Sequence, residues 1–595
     1  MRKDMNPLVQ LSPFGGELVE ELVAGSTSGN LNPENTVDTG CGHDRTMFVY
    51  VPTSGCPHPK QTKVLMVLRD DATEGSAREL LGGLGLAELA EAAHAVVVFP
   101  NPADDGWNYE LDGAREDDAA FIVRRFAALP TSKGGVAGFN GMICHLATTP
   151  ASSAMVASLA LTRPLDAAAV MVGSFPEGYE LPEAPEAQQV AWAYAHNRQL
   201  ERWVARVDEA TVTSTPAKGV SCASNAERPC VALYRSDSGL GKATVACAWE
   251  LMFEGARRWR NDTYGTFEPR PDFDALGLLA HVRDTSLGLA DGLPRTWYEY
   301  VPEHLRGAVD PLPLVLYLHG INCCGLYGAE QSGWMRLADR DGFACVFPDA
   351  TIEDRWNGWD DPRLPSDRDF IMALIEHMGE VVPIDRRRIY VSGFSMGSMM
   401  SNALACAHPE AFAGAIALNG PHQSYLQTLD ESAPGLLAFR HDSVLRGLEP
   451  NGERVSPLRA RADAKKASFD YRMPLVQVAG LSDGMGMPAG RSWPLTAHDH
   501  SPWTHTLRYW LAYNSCGELS FDASTPSGFA SDVHERVDRF AVQGWRSSDE
   551  GEPVLYRLVT ADRLEHAVDP RSIALGWEHV RDWAREADGS LVRVG

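Results

Sequence analysis

The chain has 595 residues, 44% of them hydrophobic and 22% charged, with a net charge of −26. That length exceeds what one hydrophobic core can serve, so two or more domains are expected, and the composition excludes a disordered chain. An acidic surface without a basic run excludes nucleic acid and anionic membranes as partners and favours a small, weakly charged molecule.

The first residues, MRKDMNPLVQLSPFGG, lack the apolar stretch of a signal peptide, and nowhere do 18 apolar residues run together. The eleven cysteines are scattered without zinc-like spacing. A cytoplasmic protein with reduced thiols is expected, a Cys222–Cys230 disulfide being the alternative, and neither a cofactor nor a metal site is read.

Segments of the first half recur in order in the second. RTMFVYVP at 45–52 matches RTWYEYVP at 295–302, and VLMVLRD, ending at Asp70, matches LVLYLHG, ending at Gly320. VVVFPNPADDGWN, ending at Asn108, matches CVFPDATIEDRWN, ending at Asn357, and Asp118 falls against Asp367. GFNGM at 138–142 then matches GFSMG at 393–397, setting Asn140 against Ser395. A tandem duplication follows, with a first domain at 1–265 and a second at 266–595.

Each half alternates short apolar runs with amphipathic stretches, which predicts a mostly parallel sheet with helices on both faces. In the second half LPLVLYLHG, FACVFPD, RRIYVSGF, GAIALNG and MPLVQVAG read as buried strands. Helices are expected at 368–380, 396–408, 503–514 and 572–586. The charged stretch 430–472 lacks periodicity and is read as a lid insertion or a surface excursion.

Gly393-Phe394-Ser395-Met396-Gly397 follows a strand and opens a helix, the context that lifts a serine hydroxyl above a sheet. A serine needs a histidine to take its proton and an acid to orient that histidine. Asp483 stands just past the strand MPLVQVAG, with Asp499 as competitor. Among the later histidines, His566 follows the strand PVLYRLV and precedes the last helix, where the third member is expected. His498, His500 and His505 lie in or near a loop, His534 in a charged stretch and His579 inside a helix. The backbone N–H of Met396 is the first expected oxyanion donor, and that of Ile321 or Asn322 the second. His319, Trp356 and Trp359 are read as the substrate-binding residues, His319 chiefly by orienting that loop and the two tryptophans by offering flat apolar surface there.

LVLYLHG, the VFPD strand, RWNGW, IDRRRIYVSGFSMGSMMSNALAC, VAGLSD and the Tyr556–His566 tail together resemble the polyhydroxybutyrate depolymerase and feruloyl-esterase-like branch of the α/β-hydrolases. The resemblance covers roughly 290–590. It implies two tandem α/β-hydrolase domains, a triad of Ser395, Asp483 and His566, and hydrolysis of carboxylic esters through an acyl-enzyme. The chain departs from the family in showing no signal and in approaching its histidine through TADRLEHAVDP.

In the first half, Asn140 offers an amide where a hydroxyl is needed, Arg69-Asp70 replace His319-Gly320, and no histidine occurs between His196 and His281. That half is read as a degenerate, non-catalytic scaffold that can mediate homo-oligomer formation. The expected substrate is a small soluble ester of the hydroxycinnamate or short hydroxyacyl type. A serine peptidase on the same fold and a binding protein with a vestigial triad are the rival readings.

Overall fold

The computed structural model describes residues 15–23, 44–53, 55, 62–110, 118, 121–122, 144–162, 167–182, 190–195, 199, 212–224, 232–259, 265–267, 270–321, 323–352, 355–358, 364–421, 428–429, 437–438, 471–484, 487, 491–497 and 501–594. The chain divides into two compact units, Met1–Arg270 and Pro271–Gly595.

The main sheet of the first unit is built, among the described residues, from ten strands, in chain order β1 (Leu18–Val23), β2 (Arg45–Tyr50), β3 (Lys63–Leu68), β4 (Ala95–Pro100), β5 (Cys144–Thr148), β6 (Ala169–Val172), β7 (Ala191–Ala193), β8 (Val212–Ala217), β9 (Val220–Ser224) and β10 (Ala232–Ser236). They form one sheet in the order β1-β2-β4-β3-β5-β6-β7-β10-β9-β8. The second unit holds β11 (Leu279–Asp284), β12 (Arg295–Tyr300), β13 (Leu312–Leu318), β14 (Ala344–Pro348), β15 (Ile384–Phe394), β16 (Gly414–Leu418), β17 (Leu475–Gly480), β18 (Val533–Val537), β19 (Phe540–Arg546) and β20 (Val554–Ala561). Their order, β11-β12-β14-β13-β15-β16-β17-β20-β19-β18, repeats that of the first sheet position by position. In each unit the central run from the fourth strand to the tenth is parallel, with antiparallel strands at both edges.

The central strands are apolar on both faces because helices cover both, as parallel sheets require. In the first unit one face of the sheet is packed by Val64, Met66, Leu146, Met155 and Leu159, and the other by Leu65, Val67, Val97, Trp192 and Val245. In the second unit Leu314, Leu316, Val391, Met400, Leu404, Leu475 and Trp510 share one core.

The expected helices form at Asp367–Val381, Met396–Ala407, Pro502–Tyr513 and Pro570–Val580. The last was expected to reach 586 but stops earlier. Trp583–Arg585 instead pairs as a strand with Leu591–Arg593, and the Arg585 guanidinium donates to the carbonyls of Phe412, Gly589 and Arg472. Tertiary hydrogen bonding thus overrides a helical pattern. Of 430–472, only 437–438, 471 and 472 are among the described residues, so the lid expectation lies outside them. Among the described residues, no helix is long and apolar enough to cross a membrane.

Two buried histidines, His145 in the first unit and His579 in the second, have their charged form disfavoured by burial and, secondarily, by nearby cationic side chains. Burial lowers the pKa of His145, packed on Trp249 and Phe253, to about 3, and does the same to His579. Both stay neutral in the folded state, while the unfolded chain protonates them below about pH 6.5. Their contribution is therefore complete above pH 6.5 and is lost as pH falls toward 3, at roughly 1.4 kcal/mol per pH unit for each. His579→Gln should flatten the loss of urea stability between pH 6.5 and 4; an unchanged slope would contradict this.

Candidate active site

β15 runs between β13 and β16 and ends at Phe394, and the next helix starts at Met396. Ser395 stands at the corner with φ 54° and ψ −116°, a backbone conformation rare outside glycine. The flanking glycines are required by contact. A Cβ on Gly393 would overlap the carbonyl of Gly397, and one on Gly397 would overlap that of Leu318.

His566 lies in the loop between β20 and the Pro570–Val580 helix, with its ring 4.9 Å from that of Phe394. Asp483 lies three residues past β17, in a turn closed by its own N–H on the Gly480 carbonyl. The three side chains meet in line. His566 Nδ1 is 2.7 Å from Asp483 Oδ2, and His566 Nε2 is 2.8 Å from Ser395 Oγ. An ionised Asp483 only accepts, so Nδ1–H donates to it and Nε2 is left to accept the serine hydroxyl proton. Ser395 and Asp483 are buried, whereas the His566 ring is 29% exposed and open to a substrate.

Asn419 gave no sign of a role in the sequence, where it falls in GAIALNG, read as a buried strand. Buried at the end of β16 with φ 48°, it donates from Nδ2 to the carbonyls of Ala567 and Glu565, on either side of His566, at 2.7 and 3.4 Å. Its Oδ1 accepts from the N–H of Gly480, just before Asp483. One side chain therefore braces both loops that carry the partners of Ser395. Asparagine tolerates the left-handed backbone this place imposes.

The loop after β13 is held from below. Nε2 of the fully buried His319 accepts from the Ala350 N–H at 2.9 Å, so Nδ1 carries the proton and donates to the Gly320 carbonyl at 2.6 Å. With both nitrogens engaged, His319 orients the loop and is not available to bind substrate. Trp356 is also corrected: it is 1% exposed, and its indole donates to the His319 carbonyl at 2.8 Å. It supports the loop from the core and offers no surface to a ligand. Asp367 accepts from the N–H groups of Thr351 and Asn357, fixing the segment that carries Trp356, and burial raises its carboxyl above the usual range.

The Met396 N–H belongs to the first helical turn, where amides have no intrahelical acceptor. Ile321 sits in a turn closed by the Cys323 N–H on the Gly320 carbonyl. Asn322 and Trp359 lie outside the described residues, as do His498, Asp499 and His500. His534 lies on the edge strand β18, and His579 is inside its helix.

The first unit repeats the supports. Trp107 donates to the Arg69 carbonyl at 2.7 Å as Trp356 does to His319, and Asp118 accepts from the Asn108 N–H as Asp367 does from Asn357. The pairing of Asn140 with Ser395 does not hold. Leu68 stands opposite Thr148 in β3–β5, as Leu318 stands opposite Gly393 in β13–β15. Ala168 N–H donates to the Cys144 carbonyl, as Ala413 N–H does to that of Ile389. Counting from either bond sets Pro150 against Ser395. Asn140 lies outside the described residues and before β5, whereas Ser395 follows its strand.

An α/β-hydrolase fold model matches residues 313–484. Feruloyl esterase B of Neurospora crassa is 30% identical over 223 residues, which are 36% of this chain and 72% of that protein. The chain belongs to the esterase branch of the α/β-hydrolases. Poly(3-hydroxyalkanoate) depolymerase C of Paucimonas lemoignei is 31% identical over 131 residues, 21% of this hydrolase and 30% of the relative. A bifunctional acetylxylan esterase/xylanase of Neocallimastix patriciarum is 33% identical over 111 residues, 18% of this hydrolase and 16% of the relative. The hydrolase thus spans a third or less of the length of several curated relatives it matches.

Proposed function

We propose that this hydrolase is a serine carboxylesterase acting on small soluble esters of the hydroxycinnamate or short hydroxyacyl type. The observation that carries the reading is the continuous line from Asp483 Oδ2 through His566 to Ser395 Oγ, at 2.7 and 2.8 Å. Ser395 Oγ attacks the ester carbonyl while its proton passes to His566 Nε2. The tetrahedral oxyanion takes hydrogen bonds from the Met396 N–H and from Ile321 or Asn322, and the alcohol leaves with the proton from His566. Water, deprotonated by His566, then attacks the acyl-enzyme and releases the acid. Asp483 stays ionised and stabilises the imidazolium formed in each half.

We infer further that the chain is a tandem duplication whose first unit carries out no acyl transfer. Identical strand orders and the paired Trp107/Trp356 and Asp118/Asp367 bonds support the duplication. Proline has no hydroxyl at position 150, and the loop 237–241 between β10 and its helix holds no histidine. Where the second unit has Gly320, the first has Asp70, whose carboxylate accepts from the Ser152 hydroxyl at 2.8 Å.

The substrate class draws support from the feruloyl and acetylxylan esterase and poly(3-hydroxyalkanoate) depolymerase names of the matching relatives. It is tested by kcat/KM for methyl ferulate, a hydroxybutyrate dimer, p-nitrophenyl esters from acetate to laurate, and an aminoacyl anilide. Ferulate, the dimer and acetate should be hydrolysed and the anilide left intact. A preference for laurate would overturn the substrate class, and cleavage of the anilide would point to a peptidase.

A further inference from the structure

We infer that His281, Glu299 and His377 form a site for one divalent transition-metal ion of the zinc type, clipping the edge of the second sheet to the Asp367–Val381 helix. His281 comes from the edge strand β11, Glu299 from its neighbour β12, and His377 from the helix. Glu299 Oε1 is 3.0 Å from His281 Nε2 and 2.7 Å from His377 Nε2, and the three ligand atoms all lie within 4.8 Å of one another. Tetrahedral zinc with Zn–N distances of about 2.0–2.1 Å holds its ligand atoms roughly 3.3 Å apart, a closure that side-chain rotation supplies.

Three further features fit a metal better than an ordinary ion pair. The rings are pre-set: His281 stacks on Trp297 at 4.4 Å and 5°, and Trp297 meets His377 edge-on at 5.4 Å. Glu299 is 3% exposed, and its Oε2 has no hydrogen-bond partner, a costly state for a buried carboxylate oxygen that a cation would relieve. Asp284 Oδ2 lies 3.5 Å from His281 Nδ1, placed there by an irregularity in the β11–β12 register. A carboxylate behind a ligating imidazole is the usual outer support of zinc-bound histidine. Two imidazoles with one carboxylate select borderline transition metals over calcium or magnesium.

The edge pairing does not need the Glu299 carboxylate. In the first unit the positions of Trp297 and Glu299 are taken by Met47 and Val49, and β1 and β2 still pair. Both imidazoles are about one-fifth exposed, which leaves an entry path and an open coordination position.

The test uses the full chain, stripped with a chelator and titrated with zinc by calorimetry and with cobalt(II) by visible absorption. One equivalent should bind, Tm should rise with zinc, and cobalt should give histidine-ligand bands. Asp284→Asn should weaken binding about tenfold or more. His281→Ala/His377→Ala should abolish the bands and the zinc-dependent rise in Tm. Turnover of p-nitrophenyl acetate by the variants reports that they are folded, independently of the metal. Absence of binding at micromolar zinc, or equal binding by the double variant, would overturn the site.

Discussion

Ser395→Ala and His566→Ala should each lower kcat roughly a thousandfold or more, with the combined variant little worse than either, because members of one relay act as a unit. The expectation follows from the 2.8 Å contact that gives the serine proton a direct route to a base. Asp483→Asn should also be severe, since an amide at 2.7 Å no longer holds the Nδ1–H tautomer as a carboxylate does. Single-turnover and steady-state rates on p-nitrophenyl acetate measure all three. Near-normal turnover by His566→Ala would move the base to another histidine.

Asn419→Ala should lower kcat by about a hundredfold while leaving KM close to its starting value. Its amide holds the carbonyls on both sides of His566 and the amide before the Asp483 loop. Removing it frees the imidazole to drift, and a misplacement of about 1 Å at a reacting group is worth a factor near 10². The variant's circular dichroism and Tm separate this effect from unfolding. A folded Asn419→Ala enzyme with unchanged kcat would show that the loops hold themselves.

The elbow was legible because its chemistry is local: glycines that permit close approach, a strand before and a helix after. The sheet was legible because parallel strands buried on both faces read as unbroken apolar runs. Burial of a particular ring is not local. Trp356 follows a strand at the ligand-binding end of the sheet, yet its indole turns inward to the His319 carbonyl. Nothing in RWNGW distinguishes the two directions. Asn419 was invisible for a related reason, since its partners are 61 to 148 residues away.

The Asn140 alignment failed differently. Five residues that look like an elbow outweighed a strand whose register, fixed by Leu68 opposite Thr148, is set by pairing and not by composition. The proposal that the first unit carries out no acyl transfer is unchanged, but its reason becomes Pro150. The metal site had no sequence signal at all, because its ligands at 281, 299 and 377 come from two strands and a helix.

Reaction of the intact chain with a fluorophosphonate probe, followed by peptide mass spectrometry, tests the central claim most directly. One label per chain is predicted, on Ser395, absent from Ser395→Ala and strongly slowed in His566→Ala, with no label in the first unit. A chain that takes up no probe, or takes it up on another serine, would contradict the account.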